Sequence, residues 1–196
     1  MEWLGLDHGI LYGLERARTE PATSMMLILT YLGNWQAILA VTGLVGLFLI
    51  RSKNPQGISA AKGIILAFLF CLGTTELSKR AIARERPDIV EVAGNYQKPE
   101  SPSFPSGHAS CSMTLAVALI LAMRRITPHS WWWAAASIPL VCYGIAIGFT
   151  RLYLGVHWPT DVIAGWALGI VCAGGAFLIT GHPAKLVSTT PGPPAP

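Results

Sequence analysis

Charge is scarce in this chain. Asp, Glu, Lys and Arg make up 12% of its 196 residues, with a net charge of +4. Cysteine is sparse as well: Cys71, Cys111, Cys142 and Cys172 lie far apart in apolar runs. No C-x-x-C spacing occurs, so zinc and dithiol motifs are excluded and the four read as small buried hydrophobes. No Lys or Arg precedes Arg16, while Glu2 and Asp7 stand near the start. That pattern is not a secretory signal peptide, so membrane insertion is expected from internal helices. No internal repeat is visible. The basic residues carry no aromatic-studded face, so nucleic acid is not an expected partner. They cluster in short stretches between apolar runs, where membrane orientation and anion binding account for them.

What the chain has in quantity is apolar surface: 52% hydrophobic residues, with a mean hydropathy of +0.49. An all-α integral-membrane bundle is the fold class expected. A bilayer needs roughly 20 residues of helix, and about five segments suit it. They are residues 34–50, 59–77, 106–123, 131–148 and 160–180. Residues 2–20 mix Trp3, Leu4, Leu6, Ile10, Leu11 and Leu14 with charges, which predicts an amphipathic helix in the membrane interface. Residues 23–32 are apolar but short, and either dock on the bundle or extend the first span. The prolines of 87–105 predict an irregular loop. The expected organisation is 1–32 interfacial helices, 33–181 transmembrane catalytic domain and 182–196 disordered Pro-rich tail. Pro139 should kink the fourth span. Gly165 and Gly169 should let another helix approach the fifth closely.

Three short motifs stand at span ends: Lys79-x6-Arg86-Pro87, Pro105-Ser106-Gly107-His108 and Arg151-x5-His157-x3-Asp161. The first ends span two, the second opens span three, and the third follows span four and opens span five. Antiparallel crossing therefore puts all three on one face of the membrane. Ionisable groups beside lipid are costly and read as a site. Arg86 and Arg151 each offer a planar fork for two phosphate oxygens, and Lys79 adds a point charge. Ser106 and Gly107 open a helix, whose free N–H groups favour an anion. His157 and Asp161, four apart, permit the carboxylate to fix the ring tautomer and leave the other nitrogen free to attack phosphorus. His108 is then the acid for the leaving oxygen and the base for water. With three cations doing the charge work, no metal and no cofactor is expected. Taken with the spans, this is the equipment of a metal-free phosphatase.

The stretches Lys79 to Pro87, Pro105 to His108 and Thr150 to Asp161 together resemble the tripartite signature of the type-2 phosphatidic acid phosphatase family, over residues 33–180. Bacterial acid phosphatases and vanadium haloperoxidases share that superfamily. The resemblance implies His157 as nucleophile, His108 as acid and Asp161 as orienting carboxylate. It makes Lys79, Arg86, Arg151, Ser106 and Gly107 phosphate ligands, with Thr150 where the family usually has Ser. The implied substrates are phospholipids or polyprenyl phosphates of the phosphatidic acid, phosphatidylglycerol phosphate or undecaprenyl pyrophosphate type, met in the bilayer. A vanadate-dependent haloperoxidase and a non-catalytic lipid-phosphate binder or transporter are the alternatives. The spans oppose the first and the complete His–Asp set opposes the second.

Other residues near the motifs have plainer expectations. Arg80 and Arg84 read as headgroup anchors. Trp35 and Trp131 to Trp133 read as interface-belt aromatics, and Trp158 and Tyr153 as belt or lipid-chain contacts. Arg51, Lys53, Lys62, Arg124, Arg125 and Lys185 fall on the face opposite the motifs, and all ten acidic residues fall on the motif face. With the phosphate-binding cations set aside, the positive-inside rule leans toward an outward site, the orientation the family resemblance implies for a bacterial inner membrane. Oligomeric state is not legible in the sequence.

Overall fold

The computed structural model describes residues 2–129 and 131–181, with side chains from Gly5 onward. The expected tail at 182–196, and the side chains of Trp3 and Leu4, lie outside the described residues. Among the described residues there are seven helices and no strand. They are α1 (Glu2–Arg16), α2 (Glu20–Tyr31), α3 (Trp35–Arg51), α4 (Pro55–Ile82), α5 (Gly107–Ile126), α6 (Trp132–Tyr153) and α7 (Pro159–Thr180).

Local chemistry sets the starts of these helices. Thr19 accepts from the Ala22 N–H ahead of α2, and Asn54 accepts from the Gln56 N–H ahead of α4. Pro21, Pro55 and Pro159 occupy first-turn positions, where a missing N–H is harmless. Four helices, α4 to α7, are long and apolar enough to cross a membrane. The 17 residues of α3 fall short alone, but α2 and α3, bent by 48° at a short break, pass together as a fifth span. Residues 23–32 thus join α3 through an elbow as one bent candidate span. The fourth span runs further than expected: α6 continues to Tyr153, through Pro139, so Thr150 and Arg151 lie in its last turns rather than beyond it.

At the centre of the bundle, α5 packs against α4, α6 and α7. Its buried face is built of small residues, among them Ala109, Cys111, Ala116, Ala118 and Ala122. Its buried hydroxyls bond back along the helix, Ser110 to the Ser106 carbonyl at 3.0 Å and Thr114 to that of Ser110 at 2.8 Å. Both hydroxyls are thereby satisfied within the protein. Gly165 and Gly169 do bring α7 onto α5: a Cβ added at either would come within 2.8 Å or less of an α5 carbonyl. Outward, Phe48, Leu69, Ile138, Val171 and Leu178 are exposed on the spans. Such a surface suits lipid and would be an aggregation face in water.

Three of the four cysteines are buried, while Cys142 is exposed on α6. Arg125 is buried, not a surface charge. It donates to Ser59, to the Thr180 hydroxyl and to the Phe177 carbonyl, closing the C-terminal end of α7.

Candidate active site

The last turns of α4 and α6, the start of α5, the elbow between α2 and α3, the loop 83–106 and His157 just ahead of α7 converge on one cavity of about 370 Å³. Lys79, Arg86, Gly107, His108, Arg151 and His157 all line it. α4 delivers Lys79 in its last turn: its 28 residues make about 42 Å of helix, longer than the roughly 30 Å of hydrocarbon. The helix then stops at Ala83, whose left-handed φ of 48° turns the chain into the loop.

Arg86 is held by its surroundings. It donates from Nε to the Ser101 carbonyl at 2.8 Å and from Nη1 to the Val156 carbonyl at 2.8 Å. The same Nη1 stands 3.0 Å from His157 Nε2. A guanidinium can only donate, so Nε2 presents its lone pair and the ring proton sits on Nδ1. That side of the ring faces Asp161 Oδ2, at a long 3.4 Å. Burial first, then the charges of Arg86, Arg151 and Lys79, push the His157 imidazole well below its ordinary range. That direction favours the uncharged ring at neutral pH. Burial, followed by the Arg151 charge, lowers Arg86 to about 10, which still leaves it protonated.

Arg151 is fully buried. It donates from Nη1 to the Thr30 hydroxyl at 2.6 Å and lies 4.8 Å from the Tyr96 ring centroid. Among the described residues its Nε and Nη2 have no hydrogen-bond partner, and neither has the buried Ser106 hydroxyl at the start of α5. Lys79 donates to the Ser101 hydroxyl at 3.0 Å. Among the described residues none of Lys79, Arg86 and Arg151 forms a salt bridge. Three cations with no counter-anion, two of them with donors to spare, make a site for an anion with several oxygens. Among the described residues no three His, Cys, Asp or Glu side chains gather as metal ligands.

Some residues stand elsewhere than the sequence indicated. Thr150 does not line the cavity. Its hydroxyl donates to the Ile147 carbonyl at 2.7 Å and meets the Thr30 hydroxyl at 3.1 Å, so it supports Arg151 through Thr30. Arg84 is no headgroup anchor: it donates to Asp161 Oδ1 at 2.7 Å and to Asp7 Oδ2 at 2.9 Å. Arg80, by contrast, is exposed and pairs with Glu76 at 2.8 Å. Trp158 and Tyr153 are buried rather than lipid-facing. Trp158 Nε1 donates to the Glu85 carbonyl at 2.9 Å, and the Tyr153 hydroxyl meets the Thr23 hydroxyl at 3.2 Å. Trp35 is half exposed and also lines the cavity.

Sequence reasoning passed over Ser101, which bridges Lys79 and Arg86, and Asn34, whose Oδ1 lies 2.8 Å from His108 Nε2. Ser101 lay in a proline-rich loop with no periodicity to place it. Asn34 gave one signal, its place at the break between two apolar segments.

A multi-pass helical bundle with a cationic, histidine-bearing cavity at one end of its spans is the class these features define. Residues 60–183 match the PAP2 superfamily, and the chain belongs to that family. It is 34% identical over 147 residues to an undecaprenyl-diphosphatase of Sulfolobus acidocaldarius, covering 74% of this chain and 64% of that protein. It is 32% identical over 129 residues to a decaprenylphosphoryl-5-phosphoribose phosphatase of Mycobacterium tuberculosis, covering 66% of this chain and 64% of that protein. The matches thus span just under two thirds of the length of these curated relatives. A crystal structure of a transmembrane PAP2-type phosphatidylglycerolphosphate phosphatase from Bacillus subtilis shares the fold. Its TM-score is 0.77 at 24% identity, with 90% of this chain and 85% of that one aligned.

Proposed function

We propose that the protein is an integral-membrane lipid phosphatase that hydrolyses phosphate mono- or diphosphoesters through a phosphohistidine on His157. The observation that carries this reading is the trio of unpaired cations, Lys79, Arg86 and Arg151, around the lone pair of a neutral histidine. A phosphoryl group held by the cations would displace Arg86 from Nε2. That nitrogen would then form a bond to phosphorus as the ester P–O bond breaks, with His108 passing a proton to the leaving oxygen. Next, His108 would take a proton from water, the new P–O bond would replace P–N, and inorganic phosphate would leave. Positioning and charge stabilisation do most of the work in such a transfer, which these residues supply.

The substrate's lipid chain would lie beside Trp35 and Leu72, which line the cavity along with the polar groups. Two of the relatives are named for polyprenyl-linked phosphates, so polyprenyl phosphates are the first class to test, ahead of phosphatidic acid and phosphatidylglycerol phosphate. The catalytic unit proposed here reaches outside residues 33–181, because Thr30 holds Arg151. On this reading the site faces outward from a bacterial inner membrane, as the excess of exposed basic residues at the opposite end supports.

The test is phosphate release from a panel of these lipids in detergent, with a strong chelator present. Release from at least one lipid, undiminished by chelator, is expected, since the cations occupy the role that a metal plays in other phosphatases. No release from any of them, by folded protein, would refute the proposal. Loss to chelator with recovery on adding a divalent ion would refute its metal-free mechanism.

A further inference from the structure

We propose that Asp7 and Arg84 are positioning residues for the nucleophile, with α1 acting through Asp7 as a clamp behind Asp161. The inference rests on the reading of His157 as the attacking group. Asp7 is 2% exposed, and its carboxylate is fully engaged. Its Oδ2 accepts from Arg84 Nη2 at 2.9 Å and from the Thr160 hydroxyl at 2.7 Å, while Oδ1 accepts from the Thr160 N–H at 3.1 Å. Arg84 turns its other terminal nitrogen to Asp161 Oδ1 at 2.7 Å and to the Thr160 hydroxyl at 2.6 Å. Beneath it the Trp158 ring centroid lies 5.2 Å from the guanidinium carbon.

Two consequences follow from one cation shared by two carboxylates. The first is geometric. Arg84 fixes Oδ1 of Asp161 and the Trp158 N–H fixes Oδ2 at 3.0 Å, so the carboxylate cannot turn away from the His157 ring. The second is electrostatic. Arg84 facing Asp161 alone would neutralise it. With Asp7 present the trio of Asp7, Arg84 and Asp161 carries one net negative charge, which balances the imidazolium that forms as His157 takes the phosphoryl group. Docking α1 does not by itself call for a buried carboxylate. Leu11 already packs with Val90 and Trp158, and Glu15 accepts from the Glu91 N–H at 2.8 Å. Burying a charge for anchorage alone would cost more than an apolar contact.

The test compares Asp7→Asn, Arg84→Lys and the packing control Leu11→Ala, each in wild-type and Asp161→Asn backgrounds. The assay uses the lipid phosphate that the wild-type protein hydrolyses fastest, alongside thermal unfolding in the same detergent. Asp7→Asn keeps size and hydrogen bonding but removes charge. It should lower kcat about 10- to 100-fold with KM within about twofold, the range seen when outer partners of a histidine are lost. Arg84→Lys keeps the charge but loses the fork, and should give the same selective fall in kcat even if Asp7→Asn folds poorly. In the Asp161→Asn background both should cost less than about twofold, because they act through that carboxylate. Leu11→Ala should lower the melting temperature and cost the same factor in both backgrounds. Wild-type kcat in both variants, or equal losses in both backgrounds, would overturn the inference while leaving the proposed function intact. Absence of turnover by the wild-type protein would overturn both.

Discussion

His157 and His108 face one cavity from different elements, and the proposed mechanism gives them different work. His157 has its lone pair exposed toward Arg86 and its proton side toward Asp161. His108 Nε2 meets the amide oxygen of Asn34, a neutral partner where His157 has a carboxylate. Replacing His157 with Ala should therefore abolish phosphoenzyme formation and turnover together. Replacing His108 with Ala should spare attack on substrates with good leaving groups and slow the second step, so that labelled phosphoenzyme accumulates. Acid-labile label on the His157→Ala protein, read by rapid quench, would reverse the two roles. These two histidines, the three cations and Asp161 were legible in the sequence because each belongs to a short motif at the end of an apolar run. Their supports were not. Thr30, Asn34, Asp7 and Ser101 lie between 15 and 153 residues from the groups they hold, and single polar residues at that range leave no pattern. Thr150 is the converse case: motif position suggested a ligand, and its hydroxyl bonds the Ile147 carbonyl of its own helix.

At the scale of elements, periodicity and length located the spans but misjudged where two of them end. α6 outran its apolar stretch because Thr150, Arg151 and Tyr153 find polar partners inside the fold, so helix continues where hydropathy falls. α3 needed α2 to complete its crossing, and the elbow at residues 32–34 puts Asn34 beside His108. α4 ends on a residue poorly suited to its conformation. Ala83 sits at φ 48°, ψ 35°, and its N–H closes the helix on the Lys79 carbonyl at 2.9 Å. A Cβ in the left-handed region costs roughly 1–2 kcal/mol, while glycine adopts it freely. Ala83→Gly should therefore raise thermal stability in detergent, by about 1 kcal/mol once the extra freedom glycine gives the unfolded chain is deducted. Lys79 and Arg84 on either side should keep their bonds, leaving kcat unchanged. A lower melting temperature would mean that the turn is not left-handed in the folded protein.

For the whole molecule, the question is which way the cavity faces. Counting every Lys and Arg does not decide it, because the site end holds many. The structure sorts them by partner. Lys79, Arg86 and Arg151 line the cavity, Arg84 is held by Asp7 and Asp161, Arg80 by Glu76, and Arg18 lies within 3.9 Å of Glu15. Setting those aside leaves Arg16 and Lys98 exposed at the site end, against Arg51, Lys53, Lys62 and Arg124 exposed toward the other. Arg125 is excluded because its buried guanidinium caps α7. The orientation rule concerns basic residues in short loops near span ends, and carboxylates contribute little to it. The short connections between α3 and α4 and between α5 and α6 are such loops, and Arg51, Lys53 and Arg124 lie in or beside them. That balance supports the proposed orientation, with the end away from the cavity on the cytoplasmic side. Sealed right-side-out vesicles should hydrolyse a short-chain lipid phosphate added outside as fast as detergent-opened ones, and inverted vesicles should do so only after detergent. Latency in the right-side-out vesicles, with free activity in the inverted ones, would place the site in the cytoplasm and require a substrate presented on the inner leaflet.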